Sequence, residues 1–404
     1  MPERKGRMAR RALTLIAFVA LIGIIPAQAI TTQIRTVVLL VNFTNDATQP
    51  YGQPQVDATM PQVASFLADS SYGQASITWE TRGWFTINDQ NTDCDYVSWQ
   101  TQARAAAGDL TGFTHIIYAF SHLPNCPWLG IGGGTLTSGM VVVYGSFQYD
   151  RVRHEFAHAI GLNHAGLTDA PTQPPSGTDS GDPYTFWSNS SMSLNGAERA
   201  YLGWLTPTVI TASGTYALPT VENAGLLRII RPDNTRLDID YRAELAGITI
   251  RHGVAPGNGS RIWLIKSNPS CGFGYVLDLG RSWYDAYARV LVKVTGLNPA
   301  QVQVTLNADP PVVTPDTTPP SVPTGLSGQK QGKNVNLSWS PSTDDQDCSP
   351  SYHVFRNGVQ IGTTGSTIFT DPNVPRRSTL TYRVSAFDDA GNESAQSIAV
   401  TVQT

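Results

Sequence analysis

Charged residues are scarce in this chain of 404 residues: they make up 14% of it, against 41% hydrophobic residues. Cysteine is scarcer still, with four residues, and none of them lies in a Cys-x-x-Cys pair, which argues against a thiolate zinc site. Beyond the N-terminal segment, no hydrophobic run approaches the length that crosses a bilayer. The mature chain is therefore predicted to have no membrane span.

The N-terminal segment, residues 1–29, is predicted to be a signal peptide. Five basic residues precede an apolar run from Ala12 to Ile25, and Ala27-Gln28-Ala29 forms a small-x-small cleavage site. The alternative, an uncleaved anchor, is disfavoured because the apolar run is short. We therefore expect a secreted, extracellular protein. The few residues between this site and the first predicted strand leave no room for a pro-domain.

Net charge and cysteine usage agree with export. Removal of residues 1–29 leaves 22 basic against 30 acidic residues, a net charge of −8, which argues against nucleic acid or an anionic membrane as partner. In an oxidising compartment Cys94 and Cys126 are the favoured disulfide pair. Cys271 and Cys348 either pair with each other, which would join two domains, or remain free thiols.

The pattern of the chain predicts three folded units. Residues 30–205 alternate strands and helices, including a buried strand at 36–41 and helices at 96–107 and 149–161, which predicts an α/β domain with helices over a mixed, twisted sheet. Residues 206–308 carry short β-rich runs and predict a small β-sandwich. A proline-rich linker, 309–320, then leads to a strand-rich unit at 321–404.

One motif carries the chemistry. His154 and His158 stand at i and i+4 on the helix at 149–161, so both imidazoles face the same side and are spaced to bind one Zn²⁺. Gly161 allows the chain to leave the helix sharply and return His164 as a third ligand. Three nitrogen ligands leave the fourth position open to a water molecule, as in catalytic zinc sites.

Glu155 lies between the first two ligands and is not needed to bind the metal. We expect its carboxylate to act as general base on the zinc-bound water and then as general acid toward the leaving amine. The motif therefore predicts a zinc hydrolase that cleaves peptide bonds. The alternative for the motif is a helix whose histidines only pack or bind metal, and the glutamate disfavours it.

The extended motif from His154 to His164 is that of the metzincins, which also have a methionine-containing turn beneath the metal. Met192 is the only methionine after the motif and is predicted to be this Met-turn residue, with ordinary core packing as the alternative.

Several segments narrow the resemblance. Residues 154–165, 181–184, Met192 and 195–205, with Asn125-Cys126-Pro127-Trp128 upstream, resemble the gametolysin-type (M11) peptidases. The resemblance covers about residues 34–300 and implies a metzincin-type catalytic domain in a secreted zinc endopeptidase that acts on protein or peptide substrates. It also implies that an edge strand within 130–137 pairs with the extended substrate.

The last unit, 321–404, resembles a fibronectin type III domain. The resemblance rests on the Pro319-to-Pro323 segment, Leu337-Ser338-Trp339, the segment 352–358 and Tyr382-to-Ala386, and implies that Trp339 lies between the sheets and Tyr382 at a corner. We expect this unit to be a spacer or a weak binding module for matrix or glycan.

Two functions follow from these features. The leading hypothesis is a zinc-dependent endopeptidase that hydrolyses extracellular or cell-wall proteins. The alternative is a surface or matrix-binding adhesin with a vestigial metal site, suggested by the β-rich units and disfavoured by the intact Glu155.

Overall fold

A computed structural model describes residues 32–171, 177–187, 192–255, 260–267, 274–312, 315–344, 346–347 and 349–404. The predicted signal peptide, Cys271 and Cys348 lie outside these ranges, so what the sequence predicts for them stays a prediction. Within the described ranges, no helix has the length and apolar character needed to cross a bilayer.

The N-terminal region is built on a mixed sheet. Its elements are β1 (Thr32–Phe43), α1 (Gln53–Ser70), β2 (Ala75–Ile87), α2 (Tyr96–Ala107), β3 (His115–Phe120), β4 (Gly130–Thr135), β5 (Ser138–Tyr144) and α3 (Tyr149–Ala159). The strands lie in the order β2-β1-β3-β5-β4, and every neighbouring pair is parallel except β4 and β5, which are antiparallel. The predicted alternation of strands and helices is therefore confirmed here.

Helices cover both faces of this sheet. Val38 and its same-face neighbours pack with α1 and α3 in one core, whereas Val37 and the opposite face pack with α2 in another. Successive strand residues point to opposite faces, so adjacent valines enter different cores. A disulfide between Cys94 and Cys126, as predicted, links the start of α2 to the loop before β4.

Residues after α3 form a β-sandwich. Its elements are β6 (Ala165–Thr168), α4 (Gly196–Tyr201), β7 (Thr208–Val209), β8 (Gly214–Leu218), β9 (Leu227–Ile230), β10 (Arg236–Arg242), β11 (Gly247–Gly253), β12 (Ile262–Ile265), β13 (Leu277–Asp278), β14 (Ser282–Asp285), β15 (Val290–Leu297) and β16 (Ala300–Leu306). One sheet has the order β6-β12-β11-β10-β9-β7, with β13 paired to β11, and the other has the order β14-β15-β16-β8. Apolar side chains of both sheets, such as Ile250 and Val302, share one core.

The first of these sheets crosses the boundary predicted at residue 205. Strand β6 follows His164 directly and pairs in parallel with β12, with Ala165 opposite Ile262. Helix α4 is attached to the same sheet, because the amide of Gly196 donates to Asp240 of β10 over 2.9 Å. The segment that follows the third histidine is thus part of the sandwich. One sheet therefore contains strands from both sides of residue 205.

The C-terminal region is a second sandwich of two sheets. Its strands are β17 (Ser327–Gln331), β18 (Asn334–Ser338), β19 (Ser351–Arg356), β20 (Val359–Thr364), β21 (Ile368–Asp371), β22 (Thr379–Phe387) and β23 (Val400–Gln403). They form sheets of order β17-β18-β21 and β20-β19-β22-β23 around a core that contains Trp339 and Tyr382. The Tyr382 hydroxyl donates to Asp371 of β21 over 2.7 Å, which ties one sheet to the other.

Strand β4 lies against α3 without intervening side chains. A Cβ placed on Gly132 would overlap the carbonyl oxygen of Glu155 and lie 2.8 Å from the His158 Cβ, and one on Gly130 would lie 2.6 Å from a Glu155 carboxylate oxygen. Gly133 points the other way and has no neighbour within 4 Å of such a Cβ. Glycine on the helix-facing side therefore lets this edge strand approach the histidine helix.

Gly132→Ala is expected to lower the free energy of unfolding by about 1–3 kcal/mol, because the strand or α3 must move to admit the methyl group. The matched variant Gly133→Ala is expected to stay within about 0.5 kcal/mol of the parent. Urea unfolding followed by fluorescence measures both. Equal midpoints for the two variants would contradict the close approach of β4 to α3.

Candidate metal centre and active site

The three predicted histidine ligands converge in the structure. The Nε2 atom of His164 lies 3.0 Å from Nε2 of His154 and 3.1 Å from Nε2 of His158. Of the described residues, these three form a group whose ligand atoms all lie within 4.8 Å of one another. Three imidazole nitrogens that converge on one point match the donor set of a zinc site. The residues present therefore fit the metal that the sequence predicts.

Local structure aims each ring. Helix α3 places His154 and His158 one turn apart, and the Leu162 carbonyl accepts from Nδ1 of His158 over 2.8 Å. That bond keeps the proton on Nδ1 and leaves the Nε2 lone pair free for a metal. Gly161 has φ +102°, a left-handed conformation that favours glycine, so the predicted sharp exit from the helix is present.

The turn to His164 is held by the sandwich. The Ser260 hydroxyl, just before β12, accepts from the backbone amide of Asn163 over 2.7 Å and donates to the Gly161 carbonyl over 3.2 Å. Beyond the turn, β6 pairs with β12. The third ligand therefore owes its position to residues about a hundred positions further along the chain.

Burial keeps the imidazoles neutral. Desolvation, reinforced by the other two imidazoles, lowers the pKa of His154 to about 4, and desolvation also lowers the pKa values of His158 and His164. A metal ligand must carry a free lone pair, so neutral rings at neutral pH are the form that binds.

Glu155 is buried beside the histidines, with 8% of its surface exposed. Desolvation raises the pKa of its carboxyl group to about 7, while the charge of Arg151 opposes that rise. A carboxyl group poised near neutral pH suits proton transfer in both directions. The side chain faces Gly130 of β4, so it lies between the histidine helix and the edge strand.

Trp187 is a site residue that the sequence did not reveal. Its ring centroid lies 4.8 Å from those of His154 and His158 and 5.1 Å from that of His164. One indole therefore contacts all three candidate ligands. A lone tryptophan in a loop between quoted motif segments carries no spacing signal, so only the folded chain reveals it.

A buried carboxylate holds that tryptophan. The indole Nε1 donates to Oε1 of Glu198 over 2.7 Å, and Oε2 of Glu198 accepts from the backbone amide of Asn195 over 2.9 Å. The Asn195 side chain in turn accepts from the Glu198 amide, which completes a capping box at the start of α4. Glu198 is 1% exposed, and desolvation raises its pKa to about 7.

Met192 is the residue that the sequence predicts for the Met-turn. It is half-buried and lines a shallow pocket with Gln62, Phe66 and Tyr149. Its role beneath the metal stays a prediction. Trp187 is the residue of this loop that the described structure brings against the histidine rings.

A pocket of about 200 Å³ opens beside the histidines. Residues of the histidine motif and residues of and around β12 line it. They are His158, Asn163, His164, Asp179, Arg261, Ile262 and Trp263. The pocket thus joins the metal centre to β12. Its walls carry a basic and an acidic side chain, which gives it polar character.

Short stretches of the chain are similar to parts of known proteins. Over 97 residues, 24% of this chain, it is 44% identical to exoglucanase B of Cellulomonas fimi, and over 92 residues, 22% of the chain, it is 41% identical to chitinase Chi52 of Paenibacillus xylanexedens. These stretches cover only 9% and 17% of those enzymes. An Fn3-like protein from Clostridium thermocellum is 30% identical over 21% of this chain and 94% of its own, with a TM-score of 0.19.

A family model spans the metal centre. Residues 11–231, more than half of the chain, match the model of gametolysin peptidase M11. The match contains the histidine helix, the turn to His164, and the loop and short helix that carry Trp187 and Glu198. The chain therefore belongs to the gametolysin peptidase M11 family.

Proposed function

We propose that this protein is a secreted zinc-dependent endopeptidase that hydrolyses extracellular or cell-wall proteins. The convergence of three neutral imidazoles beside a buried carboxyl group is the observation that carries the proposal. Family membership supports a peptidase. Residues 30–205 would form a metzincin-type catalytic domain, 206–308 a β-rich domain and 321–404 a fibronectin type III domain beyond the linker at 309–320.

His154, His158 and His164 would hold the metal through their Nε2 atoms. Zn²⁺ bound there supplies a Lewis acid, which polarises a carbonyl group and makes water more acidic. The contribution of the protein is to keep the rings neutral and aimed, through burial and through the His158 bond to Leu162.

Glu155 would accept a proton from the attacking water and return it to the amine that leaves. Burial supports this role, because it brings the pKa of the carboxyl group to about 7 and lets it hold or release the proton near neutral pH. Proton transfer by a positioned side chain contributes roughly 10²- to 10⁴-fold in rate.

The outer edge of β4 would bind the substrate backbone. This strand is the last in the sheet order, with β5 as its neighbour on one side. Glu155 faces its first residue, Gly130. A peptide that adds as a further strand would lie across the mouth of the centre, held by main-chain hydrogen bonds. The pocket lined by Arg261 and Trp263 would then receive one of its side chains.

Glu155→Gln is expected to reduce casein cleavage by about 10²- to 10⁴-fold while stoichiometric zinc is retained, because the amide cannot accept the proton. Glu244→Gln makes the same chemical change at an exposed position and is the matched control. Cleavage rate and zinc content by atomic absorption are measured together. Full activity in Glu155→Gln would exclude the assigned role.

Removal of zinc by a chelator is expected to abolish cleavage, and added zinc to restore it. His158→Ala removes a ligand and should lose zinc on gel filtration, whereas His122→Ala, at an exposed histidine, should keep one zinc per chain. If the parent protein carries zinc yet cleaves nothing across a broad peptide library, the adhesin hypothesis replaces the peptidase.

Arg261→Glu is expected to shift side-chain preference toward basic residues by about tenfold at one position of the cleaved peptide, because the charge of the pocket is reversed. Peptide-library profiling measures this shift. Arg376→Glu, the same change at an exposed site in the C-terminal sandwich, should leave the profile unaltered. An identical profile in both variants would remove the pocket from the substrate cleft.

A further inference from the structure

We propose that Trp187, fixed by Glu198, is a positioning residue that preorganises all three metal ligands as one unit. The inference rests on the proposed function, because it takes the three histidines as the zinc site. It assigns a role in that site to two residues that do not bind the metal.

The contacts of the indole carry the argument. Its ring meets His154 and His164 edge-on, at interplanar angles of 81° and 82°, and lies tilted by 31° against His158. Each imidazole is thereby limited in its rotation before a metal arrives. Ligands that are already ordered lose less conformational entropy on binding, so the affinity rises.

Glu198 fixes the indole in turn. Both of its carboxylate oxygens are engaged, one by the Trp187 Nε1 proton and the other by the Asn195 amide. The indole also packs against a small apolar cluster of Ala165, Ala197 and Ile262, which joins β6, α4 and β12. The indole therefore packs against three elements of the sandwich and also contacts the histidines.

The same arrangement keeps water from the back of the centre. A large aromatic ring lies against three imidazoles and covers part of their surface. A smaller side chain at 187 would admit water and loosen the rings. A buried Glu198 oxygen would also lose its donor, and an unpaired buried polar group is unfavourable.

The test is zinc affinity, measured by competition with a chromophoric chelator on metal-free protein. Trp187→Phe is expected to raise the zinc dissociation constant by about 10- to 100-fold, the range found for partners that orient metal ligands. Trp204→Phe is the matched control: Trp204 is buried in the neighbouring core, its Nε1 has no hydrogen-bond partner among the described residues, and it should bind zinc like the parent.

Cobalt provides a second readout. Co²⁺ in place of zinc should quench tryptophan fluorescence in the parent and in Trp204→Phe, and Trp187→Phe should lose most of that quenching because the ring nearest the metal is gone. The visible absorption bands of bound Co²⁺ should also broaden in Trp187→Phe as the ligand geometry loosens. Trp187→Tyr, whose ring also carries a hydroxyl group, replaces the Phe variant if that variant does not fold.

The outcomes separate the two proposals. A parent protein that binds no zinc would overturn the proposed function and, with it, this inference. A parent that binds zinc, with Trp187→Phe within twofold of Trp204→Phe in affinity and with equal cobalt quenching, would overturn the inference alone. Glu198→Gln should weaken zinc binding in the same direction as Trp187→Phe, because an NH2 group, which cannot accept a hydrogen bond, replaces one of the two accepting oxygens.

Discussion

Arg251 is the buried charge that fixes the loop carrying Trp187 to the sandwich. It is 1% exposed, and its guanidinium lies 2.9 Å from a carboxylate oxygen of Asp182 and 2.8 Å from one of Asp240. Asp182 belongs to the loop that leads to Trp187, whereas Asp240 and Arg251 belong to neighbouring strands of the sandwich. Removal of one partner from such a buried pair costs about 3–5 kcal/mol, so these ion pairs hold the loop firmly against the sandwich.

The candidate active site is composite. The first two histidines and Glu155 come from α3, which packs on the first sheet, but His164 leads into β6, a strand of the second. Ser260 braces the turn between them, and Arg261 and Trp263 line the pocket beside the rings. The β-rich unit thus contributes residues to the candidate metal centre. Movement of the two sheets against each other would displace the third ligand.

Prediction from sequence succeeded where the signal was local. Helix α2 has the predicted bounds, 96–107; in the structure Asp95 caps its start and Gly108 follows its end. The helix of the motif was predicted from its histidine spacing. The Cys94–Cys126 pair followed from the oxidising compartment implied by the N-terminal segment. The pairing of β6 with β12 was not predicted, because it joins segments separated by nearly a hundred residues and leaves no local pattern.

The sequence by itself determined the chemistry of the centre: three imidazoles, one carboxylate and a glycine, at a spacing that a helix and a turn convert into a single site. These features lie close together along the chain, so local backbone geometry is enough to predict that they form one site. Only the tertiary structure decided what lies behind and beside that site. Trp187 contacts the rings, because Glu198 and the α4–β6–β12 cluster hold the indole there. Such contacts depend on packing between distant segments, which residue spacing along the chain does not encode.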